Sequence, residues 1–495
     1  MESKSKEKLD IESVNNTDKN SNLKGDIYIY LLKKILYFPI GRNLLLKQLQ
    51  KKVYNEAVEK NTKFPKNVQI KKYEMVVAAL ETITRNIDRG YISKEYGDKA
   101  INNFIKYNLT QPELVEDIKE NFEKKYGVKP PFFAIISPTQ KCGLKCLGCY
   151  ASSTINAPTL PYDIVDKIVG ETFNEWGCRF MTITGGEPLM YNSHGKTLFN
   201  IWEKYPQMFF LFYTNGILIN KEIAEKLEKL GNVTPAISVE GFEKETDERR
   251  GKGVYKKILE AAKNLREAGV PFGVSITATS KNIDLLLEDK FYDYVFQELG
   301  ATYMWMFQLM PIGQAKDMKE CMITPKQRIN LYRKWEYLIK EKKYPIADFW
   351  NSGVLSNGCI AYGRDAGYLY VDWNGNIMPC VFVPYYEDNI IDLYSKDKKL
   401  ADALFSQLFI NGRKWQDKVG FAHMKDPDNW LMPCSIRDNY SNFKKNIITK
   451  NTKPEDICAK QAIESEEYEK VLEEFDKEVE KLTLPIWKKE YLEDN

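Results

Sequence analysis

Phe132-Phe-Ala-Ile-Ile-Ser-Pro-Thr-Gln-Lys-Cys142-Gly-Leu-Lys-Cys146-Leu-Gly-Cys149-Tyr150 joins a short apolar run to a loop with three cysteines and two glycines. The run is mostly aromatic and β-branched, the composition of a strand buried on both faces. Three thiols within eight residues can converge on one soft metal centre. Structural zinc would need a fourth Cys or His nearby, and none lies within 25 residues on either side.

Five similar runs follow, at 181–184, 209–213, 235–239, 272–278 and 304–310. Amphipathic helical patterns separate them. In one, Asn220 is placed to cap the helix, Ile223, Ala224, Leu227 and Leu230 form the apolar stripe, and Gly231 ends it. Six β-then-α units predict an α/β fold with a parallel barrel or open sheet. Before them, residues 26–125 read as helical, with Tyr28, Leu31, Leu32, Ile35 and Leu36, then Tyr73, Val76, Val77, Leu80 and Ile83, at helical spacing. Residues 1–25 have little to bury and read as a disordered tail. After the runs, 367–372 and 377–383 flank an Asn-Gly turn, the pattern of a β-hairpin. Tyr468, Val471, Leu472, Phe475, Val479 and Leu482 mark a C-terminal amphipathic helix.

At 495 residues the chain has room for about three structural units. A net charge of +3 implies no bulk polyanion, so no nucleic-acid partner is expected. With 43% hydrophobic and 13% aromatic residues the chain is not disordered and can build a sizeable core. No run is long and apolar enough for a membrane span, and the start lacks a signal-peptide core, so a cytoplasmic protein is expected. The only histidines are His194 and His423, which leaves little room for His-rich metal sites or Ser-His and Cys-His triads. Nine cysteines in such a chain point to metal or redox chemistry rather than disulfides.

Cys-x3-Cys-x2-Cys followed by an aromatic, on the loop after a first strand, resembles the signature of radical S-adenosylmethionine (SAM) enzymes. The resemblance implies that Cys142, Cys146 and Cys149 hold a [4Fe-4S] cluster and are the catalytic cysteines. One iron stays open to chelate SAM, which is cleaved to a 5′-deoxyadenosyl radical that abstracts hydrogen from a C–H bond.

Later strand ends agree in order with that family. Thr184-Gly-Gly-Glu-Pro188 resembles its GGEP element: Gly185 and Gly186 would let backbone carbonyls approach the SAM ammonium, and Glu187 would neutralise it. Thr214-Asn215-Gly216 resembles its Thr-Asn-Gly. Ser238 and Glu240, two apart on one strand face, would meet the ribose hydroxyls. Arg249-Arg250-Gly-Lys-Gly resembles its Arg-Gly-x-Gly, where an arginine pairs with the SAM carboxylate. Ile312 and Gly313 stand where the family packs adenine, and Tyr150 completes the expected cofactor pocket. Carboxyl ends of barrel strands are where such folds assemble sites.

Of the other cysteines, Cys178 reads as core and Cys321 as either core or ligand. Cys359 and Cys380 flank the hairpin, with Gly375 five residues before Cys380. This spacing resembles the opening of the auxiliary-cluster regions called SPASM and twitch. It implies one auxiliary [4Fe-4S] cluster with Cys434 as third ligand. Cys458 is the fourth choice, a buried helix residue being the alternative. The later Cys-x2-Cys-x5-Cys-x3-Cys run of a full SPASM region is missing here. The auxiliary cluster is expected to be structural, to relay electrons, or to bind substrate at an open iron.

The expected organisation is therefore a tail (1–25), a helical region (26–125), a partial (β/α)6 barrel (126–320), a small α+β auxiliary-cluster region (321–460) and a C-terminal helix (461–495). The family's auxiliary-cluster members make a peptide or protein side chain the default substrate, with a lipid chain or small metabolite as alternatives. No segment resembles the winged-helix leader-peptide module of many peptide modifiers. Flavodoxin or ferredoxin is the expected reductant, and a non-catalytic iron–sulfur scaffold is the remote alternative. Arg364, Asp365 and Asp372 flank the hairpin and could move a proton, although turn residues are the plainer reading. Residues 26–53 are basic and leucine-rich, so they either touch an anionic membrane surface or pack on the barrel with a solvated lysine face.

Overall fold

All six expected strands form. They are β1 (Phe133–Ile136), β2 (Phe180–Ile183), β3 (Phe209–Thr214), β4 (Val233–Val239), β5 (Gly273–Ala278) and β6 (Tyr303–Gln308). Each pairs in parallel with the next. The computed structural model describes residues 30, 33, 37, 42–61, 63–105, 112–421 and 428–493. The expected tail, most of the basic stretch before residue 42, and His423 lie outside these.

The sheet is wider than the runs predicted. β7 (Ile346–Asp348) adds in parallel to β6. At the other edge, β8 (Tyr368–Val371) pairs in parallel with β1, and β9 (Asn376–Met378) returns antiparallel to β8. The short strand β10 (Tyr385–Tyr386) leaves this sheet to pair with β12 (Lys453–Pro454), while β11 (Asp388–Asn389) pairs with β9. The ten strands run β11-β9-β8-β1-β2-β3-β4-β5-β6-β7, an open sheet of the α/β class. The hairpin foreseen in a separate auxiliary region thus continues the barrel sheet past residue 320. The free edge of β1 presents unpaired backbone groups, and β8, buried along its whole length, satisfies them.

The chain's amino-terminal helices cover the amino ends of the strands. Helix Lys66–Asp88 docks through Asn86, whose Nδ2 donates to Gly300 O at 2.9 Å and Thr302 Oγ1 at 3.1 Å, just before β6. Thr82 Oγ1 donates to Lys343 O before β7, and Tyr96 Oη donates to Val233 O at the start of β4. That end of the barrel is closed, so chemistry is left to the carboxyl ends. Helix Arg42–Tyr54, the described part of the basic stretch, buries Arg42 and Leu46, and Arg42 pairs with Asp88 at 2.5 Å. No helix among the described residues is long and apolar enough to cross a membrane.

Helix Lys221–Leu230 has the expected ends, Asn220 Oδ1 accepting from Ile223 N and Gly231 in the left-handed region. Helix Glu466–Trp487 buries Tyr468, Leu472, Phe475 and Val479. Tyr468 Oη donates to Pro311 O, tying this helix to the segment after β6.

Asp372 closes the β8–β9 turn and is not free to move protons. Its carboxylate accepts from Asn374 N, Asn376 N and Asn376 Nδ2, each at 2.8 Å. Arg364 is likewise committed, donating to the carbonyls of Ser356 and Cys359. Burial pushes the Asp372 carboxyl up to about 6, above the roughly 3.9 of an unfolded chain. Its contribution to stability is therefore complete below about pH 4 and lost as pH rises through 6. Asp372→Asn should remove this slope, at most about 1.4 kcal/mol per pH unit, in denaturant titrations from pH 4 to 7.

Candidate active site

The three loop cysteines, Cys142, Cys146 and Cys149, have almost no regular structure around them, so strand ends must place them. Gly186 N donates to Thr139 O at 2.9 Å and Glu187 N to Lys141 O at 2.7 Å, fastening the loop to the end of β2. Tyr150 Oη meets Thr184 Oγ1 at 3.0 Å and accepts from Gly185 N at 3.3 Å. Leu147 N donates to Arg249 O, and Gln314 N to Cys149 O.

These contacts explain the glycines differently from the sequence reading. A Cβ on Gly186 would lie 2.3 Å from Lys141 O and 2.4 Å from Gln140 O. On Gly185 it would lie 2.4 Å from Thr139 O, and φ there is +117°. The close approach is to the chain's own cysteine loop, although both glycines also line the cavity. Gly313 does not line it. Its missing Cβ makes room for Tyr150 O, 2.2 Å from where that atom would be, while neighbouring Ile312 faces the cavity.

Two residues expected to meet the ligand are bound to the chain's own groups. Glu187 is 0% exposed and absent from the cavity wall. It accepts from Asn215 N and Thr214 Oγ1 at 2.8 Å and from Leu189 N at 3.2 Å, locking the ends of β2 and β3 together. Burial pushes its carboxyl up to about 7. Asn215, held this way, lines the cavity and donates from Nδ2 to Cys142 Sγ at 3.6 Å. Glu240, 2% exposed, is also absent from the wall. Its Oε1 accepts from Arg249 Nη1 at 2.7 Å and from Arg250 Nε and Nη2 at 3.0 and 2.5 Å. One carboxylate thus seats two guanidiniums that line the cavity, leaving positive charge for an anion. Ser238 lines it too, its Oγ 3.1 Å from Ser275 Oγ.

The cavity, about 780 Å³, reaches from the cysteine loop into the barrel, where Met75 and Ala79 of helix Lys66–Asp88 help to close it. Its walls are chiefly apolar, with Tyr213, Trp305, Phe307, Phe349 and Phe382 among them. Cys359, Cys380 and Cys434 line the same cavity as the loop cysteines. Each of these three thiols is pushed up by burial, Cys380 to about 12. Tyr368 Oη donates to Cys380 Sγ at 2.8 Å, Phe382 N donates to it at 3.4 Å, and Arg437 N donates to Cys434 Sγ at 3.4 Å.

Cys458 does not join them. It lies near the start of helix Ile457–Glu464, outside the cavity wall, with Asp456, Lys316 and Asp317 as its charged neighbours. Cys178 is core, donating to Phe132 O, and Cys321 is buried. Sequence reading missed Gln308 and Asp348 at the ends of β6 and β7, where Gln308 Nε2 donates to Asp348 Oδ1 at 3.1 Å on the cavity wall. The three-residue β7 was too short for a periodic signal, but an acid at its carboxyl end was the available clue.

Among the described residues no three His, Cys, Asp or Glu side chains surround a single ion. Iron–sulfur clusters ask for something else, since each thiolate takes a different iron and the sulfurs stand apart. The donor set fits: three soft sulfurs per group, N–H donors to Cys142, Cys380 and Cys434, and Arg250 beside Cys146. Burial pushes the Cys142 and Cys146 thiols up, so loading with iron must release protons.

Residues 136–284 match the family model described as the Radical SAM superfamily. AdoMet-dependent heme synthase of Methanosarcina barkeri is 24% identical over 60% of this chain and 86% of its own. Mycofactocin maturase MftC of Mycolicibacterium smegmatis is 26% identical over 65% of this chain and 79% of its own. The crystal structure of Streptococcus suis SuiB bound to precursor peptide SuiA superposes with a TM-score of 0.48 at 18% identity, covering 62% of this chain and 72% of that one.

Gly186→Ala should drive the cysteine loop off β2, since the new methyl would meet backbone rather than a movable side chain. Thermal unfolding should show a loss of about 1–3 kcal/mol, the usual range for overpacking. Iron analysis after reconstitution should show the Cys142–Cys149 loop unloaded.

Proposed function

Because this chain is a radical SAM enzyme, we propose that it modifies an apolar side chain of a peptide, held between two iron–sulfur centres in one cavity. The observation that carries this reading is the wall shared by Cys142, Cys146 and Cys149 with Cys359, Cys380 and Cys434. The relationship to mycofactocin maturase supports a peptide substrate, and the aromatic wall suits an apolar side chain.

Cys142, Cys146 and Cys149 would hold the SAM-binding [4Fe-4S] cluster, and Cys359, Cys380 and Cys434 an auxiliary one. When bound, the first cluster with SAM supplies hydrogen-atom abstraction from an unactivated C–H bond. The chain's own residues do the rest. Arg249 and Arg250, seated by Glu240, would hold the anionic carboxylate of the cosubstrate. Ser238 and Asn215 offer hydrogen bonds from the ends of β4 and β3. Ile312 gives an apolar surface for a base. The closed amino end and aromatic walls exclude water, which would otherwise hydrate the reacting groups. With Cys359, Cys380 and Cys434 as its cysteines, the auxiliary centre would take its remaining ligand from a non-cysteine donor. A small flavoprotein or ferredoxin would deliver the electron.

Anaerobic reconstitution tests the assignment. Wild type should bind about eight iron atoms per chain, and Cys142→Ala/Cys146→Ala/Cys149→Ala about four, with all 5′-deoxyadenosine formation from SAM and dithionite lost. Cys359→Ala/Cys380→Ala/Cys434→Ala should also bind about four iron atoms but keep SAM cleavage. The reading fails if deoxyadenosine forms without the loop cysteines, or if iron stays at about four in wild type.

Arg250→Gln should weaken SAM binding on the order of tenfold by calorimetry, about 1.4 kcal/mol, with both clusters still loaded. Unchanged affinity would remove Arg250 from the carboxylate site.

A further inference from the structure

Arg437 has 0% exposure, and its Nε, Nη1 and Nη2 find no hydrogen-bond partner. Trp350 and Phe475 lie against it, their ring centroids 5.0 and 4.9 Å from the guanidinium carbon. The ring contacts leave the donor edge unanswered, an arrangement folded proteins avoid unless an anion supplies the balance.

None of the nearby carboxylates hydrogen-bonds the guanidinium. Asp438 is bound to Arg328 through both oxygens and accepts from Cys434 N. Asp348 accepts from Gln308 and Asn351 side chains and two backbone N–H groups. Asp476 accepts from Tyr440 N through Oδ2, its Oδ1 makes no hydrogen bond, and burial pushes its carboxyl up to about 8. Burial and the neighbouring Arg328 charge push Arg437 down to about 10. The backbone N of Arg437 donates to Cys434 Sγ at 3.4 Å, and Asp438, Cys434 and Asp348 are the groups whose negative charge would favour its guanidinium.

We propose that Arg437 is the buried counter-charge of an auxiliary iron–sulfur centre on Cys359, Cys380 and Cys434, a positioning residue that raises the centre's reduction potential. It rests on the auxiliary-centre reading above. Reduction adds one electron to the centre and breaks no bond, so a fixed cation nearby favours the reduced form.

The test uses the full chain carrying Cys142→Ala/Cys146→Ala/Cys149→Ala, so that only the auxiliary centre gives a paramagnetic signal. A potentiometric titration followed by electron paramagnetic resonance compares this protein with its Arg437→Met, Arg437→Gln and Arg437→Lys versions. At the parent midpoint, Met and Gln should raise the oxidised-to-reduced ratio at least tenfold, 59 mV for a one-electron couple. Lys, which keeps the charge, should shift it less. Gln decides the matter where Met disturbs packing against Trp350. A loaded centre with the same midpoint in Arg437→Gln as in the parent overturns the role of Arg437 alone. Iron-free parent protein removes the auxiliary centre itself, and this inference with it.

Discussion

The backbone of the cysteine loop rests on the backbone of the Gly185–Gly186 turn, and the rest of the site depends on that contact. A loop with so little regular structure cannot hold three sulfurs in place by itself. Hydrogen bonds from Gly186 and Glu187 to the carbonyls of Thr139 and Lys141 make it a continuation of the sheet rather than a flap. The same principle recurs after β6, where Gly313 admits Tyr150 O to within a distance no side chain would allow. Two glycine sites thus grip the loop from opposite sides, and Tyr150 joins them through Thr184 and Gly185.

Two acidic residues, Glu187 and Glu240, act behind the wall rather than on it. Glu187 joins β2 to β3 and thereby aims Asn215 at Cys142. Glu240 holds Arg249 and Arg250 side by side, and Arg249 also donates to Leu147 O in the cysteine loop. A buried carboxylate is tolerable only with several donors around it, and both residues have them. The positive groups are thereby presented to the cavity in fixed positions before any ligand arrives, which limits the ordering that binding demands.

The barrel interior is another departure from a filled α/β core. Small eight-stranded barrels pack their centres with side chains. Here an open ten-stranded sheet leaves about 780 Å³, closed at the amino end by helix Lys66–Asp88 and bordered on the other side by the β8–β9 hairpin. Because that hairpin extends the sheet from β1, Cys359 and Cys380 come to the same space as the loop cysteines. A hairpin on a flexible tether would not have brought them there.

Much of this was legible along the chain. Strand runs, the Asn220 and Gly231 helix ends, the Asn-Gly hairpin and the cysteine triad all depend on local periodicity or on spacing within a few residues, where backbone geometry alone dictates the outcome. The order of the strand-end motifs also carried the chemistry of the site. Other features required the folded chain. Whether Glu187 and Glu240 face a ligand or a neighbouring strand depends on which donors packing brings to them. Cys458 was separated from Cys434 by helix placement, and Arg437 was stranded between Trp350 and Phe475. Spacing in sequence determines which sulfurs can share a loop, because the loop is short. Which sulfurs share a cavity was decided by long-range strand pairing, because the parallel contact of β8 with β1 carries residues more than two hundred positions apart into one wall.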